Sequence, residues 1–261
     1  MKMTFKTTLV SALIATAGVM GFTSVASAAG NAEHPKQVNW SFKGFTGTFD
    51  RAAQQRGFQV YKEVCSACHG LSQVAFRTLT DIGFSEEQVK VIAAEYTMED
   101  GPNDDGDMFE RPGAPSDKFP SPFPNENAAK ASNGGAFPPD LSLITKARVD
   151  GNNYLYSLLT GYEDAPEGFD VGSLNYNKYF AGHKIAMAAP LYEDSVEYAD
   201  GTPATVEQMA HDVVTFLAWA AEPHLEERHN LGVRVMIFLL FLTVIFFFSN
   251  RAVWREVKGK K

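Results

Sequence analysis

A mainly α-helical chain with long irregular loops, carried on one C-terminal transmembrane helix, is what the sequence predicts. Three observations point there. Apolar residues recur at helical spacing in three separate stretches. Residues 101–140 hold eight of the 13 prolines and show no periodicity. A last apolar segment, uncharged from Val235 to Phe248, is flanked by basic residues.

The N-terminal segment, residues 1–28, reads as a secretory signal. Lys2 and Lys6 precede a run of Ala, Val, Leu and Ile from Thr8 to Phe22, and Ala26-Ser27-Ala28 supplies small residues for cleavage. An uncleaved anchor helix is the alternative, and the short, Gly-interrupted run argues against it. The body, residues 29–230, is strongly acidic. Between residues 29 and 233 there are 15 basic and 30 acidic side chains, a net charge of −15, against −8 for the whole chain. That balance excludes nucleic acid as a natural partner and favours a basic protein.

The first helix is expected from about Asp50 to Val64, with Phe58, Tyr61 and Val64 on one side. A second is expected from Ser85 to Thr97, where Val89, Ile92, Ala93 and Tyr96 mark a face. A third spans Thr205 to Ala221; Val206, Met209, Ala210, Val213, Leu217 and Ala220 form its buried stripe, and Thr205 with Gln208 suggests a capping box. Pro223 stops it. The Pro-rich stretch between the second and third helices carries Met108, Phe109, Phe119, Phe123 and Phe137, which a disordered insert would not need. A large bound prosthetic group is the expected organiser.

Residues 231–254 form the expected membrane span, about 36 Å long at 1.5 Å per residue. A buried core helix is the rival reading. Arg234 at one end, and Arg251, Trp254 and the basic tail of residues 255–261 at the other, match interfacial anchors with the tail in the cytoplasm. Together the two ends predict a bacterial inner-membrane protein, crossing once, with its body in the periplasm.

Cys65-Ser66-Ala67-Cys68-His69 carries the chemistry. At a helix end this spacing sets two thiols beside the vinyl groups of a haem and an imidazole under its iron, giving one covalently bound haem c. A thiol–disulfide pair would need a strand before the motif, where a helical pattern stands instead. A zinc site would need a second Cys or His pair, and both cysteines of the chain are already in the motif.

The sixth iron position separates electron transfer from ligand chemistry. Of Met98, Met108, Met187 and Met209, the last lies on an apolar helix stripe and the first two border or lie in an acidic loop. Met187 falls in Ile185-Ala-Met-Ala-Ala-Pro190, where small neighbours let a thioether approach a flat ring, so it is the expected ligand. His183, close in sequence, is a competing candidate. The acidic clusters 99–110 and 163–170 lack calcium-loop spacing and read as a docking surface for a basic partner.

The chain resembles the cytochrome c1 family, the haem subunits of the cytochrome bc1 (ubiquinol–cytochrome c oxidoreductase) complex, in its alphaproteobacterial type. The resemblance rests on Arg56-Gly-Phe-Gln-Val-Tyr through His69, on Met108-Phe-Glu-Arg-Pro-Gly113, and on Asn133-Gly-Gly-Ala-Phe-Pro-Pro-Asp-Leu-Ser142. It continues through Tyr156-Ser-Leu-Leu-Thr-Gly-Tyr162, Ile185 to Pro190, Asp200 to Thr205 and Trp219 to Pro223. It implies a class I cytochrome c-like haem domain, with Cys65 and Cys68 binding haem and His69 and Met187 as axial ligands. It further implies that Arg148 pairs with a haem propionate and that Tyr154 and Asn133 line the pocket. The implied partners are cytochrome b and a Rieske iron–sulfur protein in a dimeric membrane complex, and a basic soluble or tethered cytochrome c as acceptor. Some similar bacterial chains carry an extra cysteine pair before the Met ligand; this one does not, so packing and hydrogen bonds must hold residues 149–184. A membrane-anchored cytochrome feeding another oxidase, and a haem-based sensor or peroxidase, remain the alternatives.

Overall fold

The computed structural model describes residues 32–259. The expected signal segment, residues 1–28, lies outside the described residues. Helix α1 (Arg51–Glu63) begins where Asp50 Oδ1 accepts from the Ala52 and Ala53 N–H groups at 2.9 and 3.2 Å. Helix α2 (Glu86–Ala94) starts at a complete capping box between Ser85 and Gln88 and stops three residues before the sequence pattern suggests. The chain turns there into strand β1 (Thr97–Asp100), so Tyr96 closes the turn instead of extending the helix face.

β1 pairs antiparallel with β2 (Phe109–Pro112), Met98 opposite Arg111. This hairpin opens the Pro-rich region, which the protein therefore organises in part by itself. Arg111 reaches Asp100 at 2.5 Å and Asp117 at 2.6 and 3.0 Å, and Phe119 beyond it is buried against Phe58, Tyr61 and Phe76. A short helix, α3 (Glu126–Ser132), follows. Helix α4 (Gly151–Leu159) was not marked by the sequence pattern. Its buried Asn153 accepts from Trp40 Nε1 at 2.8 Å and Val38 N at 3.2 Å, fastening the segment before α1.

Helix α5 (Val206–Ala221) is the core helix. Thr205 Oγ1 accepts from Gln208 N at 3.1 Å, but the Gln208 side chain turns to Asp212, so the expected box is half formed. α5 packs on α1 at Gly57, where an added Cβ would stand 2.0 Å from the Asp212 carbonyl oxygen. Only glycine admits that approach. Beside it, buried Asp212 receives Arg56 Nε at 2.7 Å and Nη2 at 3.1 Å, and Arg56 Nη1 also reaches Asp200 at 2.9 Å. Burial pushes the Asp212 carboxyl up, yet His211, Arg56 and Gln208 around it prevail and hold it below the usual range.

After Pro223 the chain enters α6 (Leu225–Lys258), one continuous helix. Glu226, Glu227 and Arg228 thus belong to the same helix as the apolar segment, which starts above it without a break. Its foot is tied down: Glu226 accepts from Phe49 N at 2.7 Å and Arg51 Nη2 at 2.8 Å, and His229 Nδ1 bonds the Gly47 carbonyl at 2.9 Å. Leu225–Arg255 is long and apolar enough to cross a membrane, and Phe238, Leu240, Phe241, Ile245, Phe246 and Phe248 are all exposed. A core helix would have buried that surface. That exposed apolar surface fits a membrane anchor.

Candidate haem site

α1 ends at Val64, and a 3₁₀ turn over Cys65–Ala67 brings the motif round. The Cys65 carbonyl accepts from Cys68 N at 3.1 Å and His69 N at 2.9 Å, so both thiols and the imidazole leave one tight turn. Cys65 is half-buried and Cys68 exposed, and no disulfide joins them. Burial, with Cys68 nearby, pushes the Cys65 thiol up to about 12. A neutral thiol at the C-terminal end of a helix is the opposite of the activated thiolate that disulfide exchange needs.

The imidazole is oriented from far away in sequence. His69 Nδ1 lies 2.7 Å from the Pro139 carbonyl oxygen, which can only accept, so Nδ1 carries the proton and Nε2 keeps its lone pair. Burial lowers the His69 pKa more than the Pro139 bond and the Asp140 charge raise it, so the ring is a neutral donor. Residues 139–142 lie along residues 69–73. Leu141 N bonds Gly70 O at 2.9 Å, Asp140 accepts from Ser72 N and Ser142 N at 2.9 and 2.8 Å, and Gln73 N bonds Ser142 Oγ at 3.0 Å. Nothing in the sequence alone gives this segment a role at the haem motif. Its signal was Pro138-Pro139, an extended pair that presents carbonyls and has no N–H of its own.

Met187 sits on the loop after a second hairpin, β3 (Asn175–Tyr176) paired with β4 (Lys184–Ile185). It is half-buried, and its carbonyl accepts from Tyr162 OH at 3.0 Å. The Arg148 guanidinium lies against the Tyr154 phenol; burial raises that phenol's pKa while Arg148 pulls it the other way. Tyr154 in turn lies near Tyr162. Asn133 stands elsewhere, capping α3 with its Nδ2 on the Ala129 carbonyl at 2.7 Å, in the turn that leads to Pro139. Competing His183 has its ring stacked on Tyr176 with centroids 5.6 Å apart.

The donor set fits a haem. Two thiols flank a turn, an imidazole is fixed with Nε2 free, and Phe137 and Leu143, each 53% exposed, offer apolar surface on both sides of the 139–142 segment. Among the described residues no group of three or more His, Cys, Asp or Glu side chains could hold a bare metal ion.

The Cytochrome C1 family profile matches residues 40–257. The chain is 47% identical to cytochrome c1 of Rhodospirillum rubrum, over 97% of this chain and 99% of that protein. It is 49% identical to a mitochondrial cytochrome c1 heme protein of Solanum tuberosum, covering 94% of this chain and 95% of that one. It is also 49% identical to cytochrome b/c1 of Bradyrhizobium diazoefficiens over 94% of this chain, which spans 39% of that longer protein. The chain belongs to the cytochrome c1 family, electron-transfer subunits that carry haem c covalently on a Cys-X-X-Cys-His motif, present here as Cys65, Cys68 and His69.

Proposed function

We propose that this chain holds one haem c between His69 and Met187 and passes single electrons from a Rieske iron–sulfur protein to a basic cytochrome c. Its setting is a dimeric membrane complex that includes cytochrome b. The supporting observation is the 2.7 Å bond between His69 Nδ1 and the Pro139 carbonyl, which fixes the tautomer a proximal ligand requires. A haem held by these residues would supply a one-electron couple, and ligation by both His69 and Met187 would suit a carrier rather than a substrate-binding iron. The chain's own residues do the rest. Cys65 and Cys68 tether the ring, Arg148 sets a cation beside Tyr154 for a propionate, and Asn133 braces the turn toward Pro139.

The membrane arrangement follows from charge. Arg251, Arg255 and Lys258 lie at the far end of α6 with two more lysines after them, which sets that end in the cytoplasm and the acidic body in the periplasm. Residues 1–28 would direct the export and be removed.

Met187→Leu in the assembled complex tests this reading. The haem stays attached because its thioethers do not involve Met187, while the potential falls and quinol-dependent acceptor reduction drops at least about tenfold. Turnover equal to wild type would remove Met187 as the sixth ligand.

A further inference from the structure

A thioether is a weak neutral ligand, so what keeps it on iron is the rigidity of the loop that carries it. Ala186, Ala188 and Ala189 give the Met187 loop no polar side chains with which to anchor itself. Both cysteines are in the Cys-X-X-Cys-His motif, so no disulfide is available to brace it. Among the described residues, Asn175 Nδ2 reaches the Ile185 and Ala186 carbonyls at 3.4 Å each, which are long bonds. Among the described residues, the one short bond to the proposed ligand residue itself is from Tyr162 OH to the Met187 carbonyl, at 3.0 Å.

Tyr162 is in turn held hard. It follows α4 directly, and Gly161 before it packs so closely under Tyr179 that an added Cβ would come within 2.3 Å of that ring. Tyr162 forms a β-bridge with Asn177. Asn177 is fully buried; its Nδ2 bonds the Leu158 carbonyl at 2.7 Å, its Oδ1 accepts from Tyr179 N at 3.0 Å, and its backbone N bonds His183 O at 3.1 Å. One buried asparagine thus ties the end of α4 to the β3–β4 hairpin, and Tyr162 carries that rigidity across to Met187. Burial raises the Tyr162 pKa further, so the phenol remains a proton donor at any physiological pH.

We infer that Tyr162 is a positioning residue for the sixth ligand, clamping Met187 through its carbonyl and doing by hydrogen bonding what a disulfide would do by covalent closure. The inference rests on the assignment of Met187 made above. Losing one such bond raises the population of the released loop about fivefold. Because the bond ends on the backbone of Met187, its loss should be read at the iron, whereas the ring packing survives in phenylalanine.

The test compares wild type with Tyr162→Phe, using Tyr176→Phe as the control, since the Tyr176 ring stacks on His183 and its hydroxyl bonds nothing among the described residues. All are measured as full-length, detergent-solubilised holoprotein, with Met187→Leu alongside. Tyr162→Phe is expected to weaken the far-red Met–iron band and lower the midpoint potential. At a fixed, subsaturating carbon monoxide concentration it should raise the carbon monoxide-bound fraction of the reduced protein about fivefold, with the thermal midpoint lowered by only about 2–4 °C. Tyr176→Phe should match wild type. If Tyr162→Phe matches wild type in band, potential and carbon monoxide binding while Met187→Leu loses the band, the clamp is wrong and the ligand assignment stands. If wild type itself lacks the band, the ligand assignment fails and the clamp goes with it.

Discussion

His69 works because its two ring nitrogens differ: Nδ1 is spent on the Pro139 carbonyl, and burial keeps the ring neutral so that Nε2 can coordinate. Asp117 shows the same economy in a structural role. Two bonds from Arg111, with a third from Ala114 N at 2.8 Å, hold its carboxyl down at about 2, against 3.8 unperturbed. A depressed carboxyl contributes stability that is complete above the unfolded pKa of 3.8 and drains away as pH falls through about 2. Asp117→Asn should therefore lower the thermal midpoint at neutral pH and flatten its decline between about pH 4 and pH 2. A scan of thermal midpoint against pH checks this; an acid limb as steep as that of wild type would contradict it. The motif residues could be picked out in the sequence because each is defined by its immediate neighbours. Pro139 and Asp140 could not be given roles, because they meet His69 and Ser72 across some 70 residues of chain.

α1, α5 and α6 were legible as elements because a single buried stripe, or a wholly apolar run, repeats at helical spacing. α4 was not, since Gly151-Asn152-Asn153 reads as a turn while Asn153 is in fact a buried junction for Trp40, Val38 and Asp150. Both hairpins escaped for a related reason. β1 and β2 carry four residues each and β3 and β4 only two, too few for alternation to show. The partial failure of the Thr205 cap is instructive too. Gln208 has a better partner in the buried carboxylate of Asp212, because a hydrogen bond to a buried charge is stronger than one to the neutral Thr205 N–H. Asp212 itself interrupts nothing in the apolar count, so its pairing with Arg56 appears only once α1 and α5 cross at Gly57.

At the scale of the whole molecule, an acidic body of net charge −15 stands on a helix with a basic far end. That polarity is what the proposed orientation in the membrane and the proposed basic acceptor both rest on. The association rate with a basic cytochrome c should fall at least about tenfold as the ionic strength rises from about 0.01 to 0.5 M, because the screening length shrinks from about 30 Å to a few ångströms. A flat salt profile in stopped-flow reduction of the acceptor would count against electrostatic docking. The central claim, a haem c closed on both faces by His69 and Met187, is tested most directly by the optical spectrum of the detergent-solubilised protein, oxidised and then reduced with dithionite. A c-type alpha band on reduction, together with a far-red Met–iron charge-transfer band in the oxidised protein, is the predicted result. A c-type band without the far-red feature would contradict Met187 as the sixth ligand and reopen the iron to exogenous ligands.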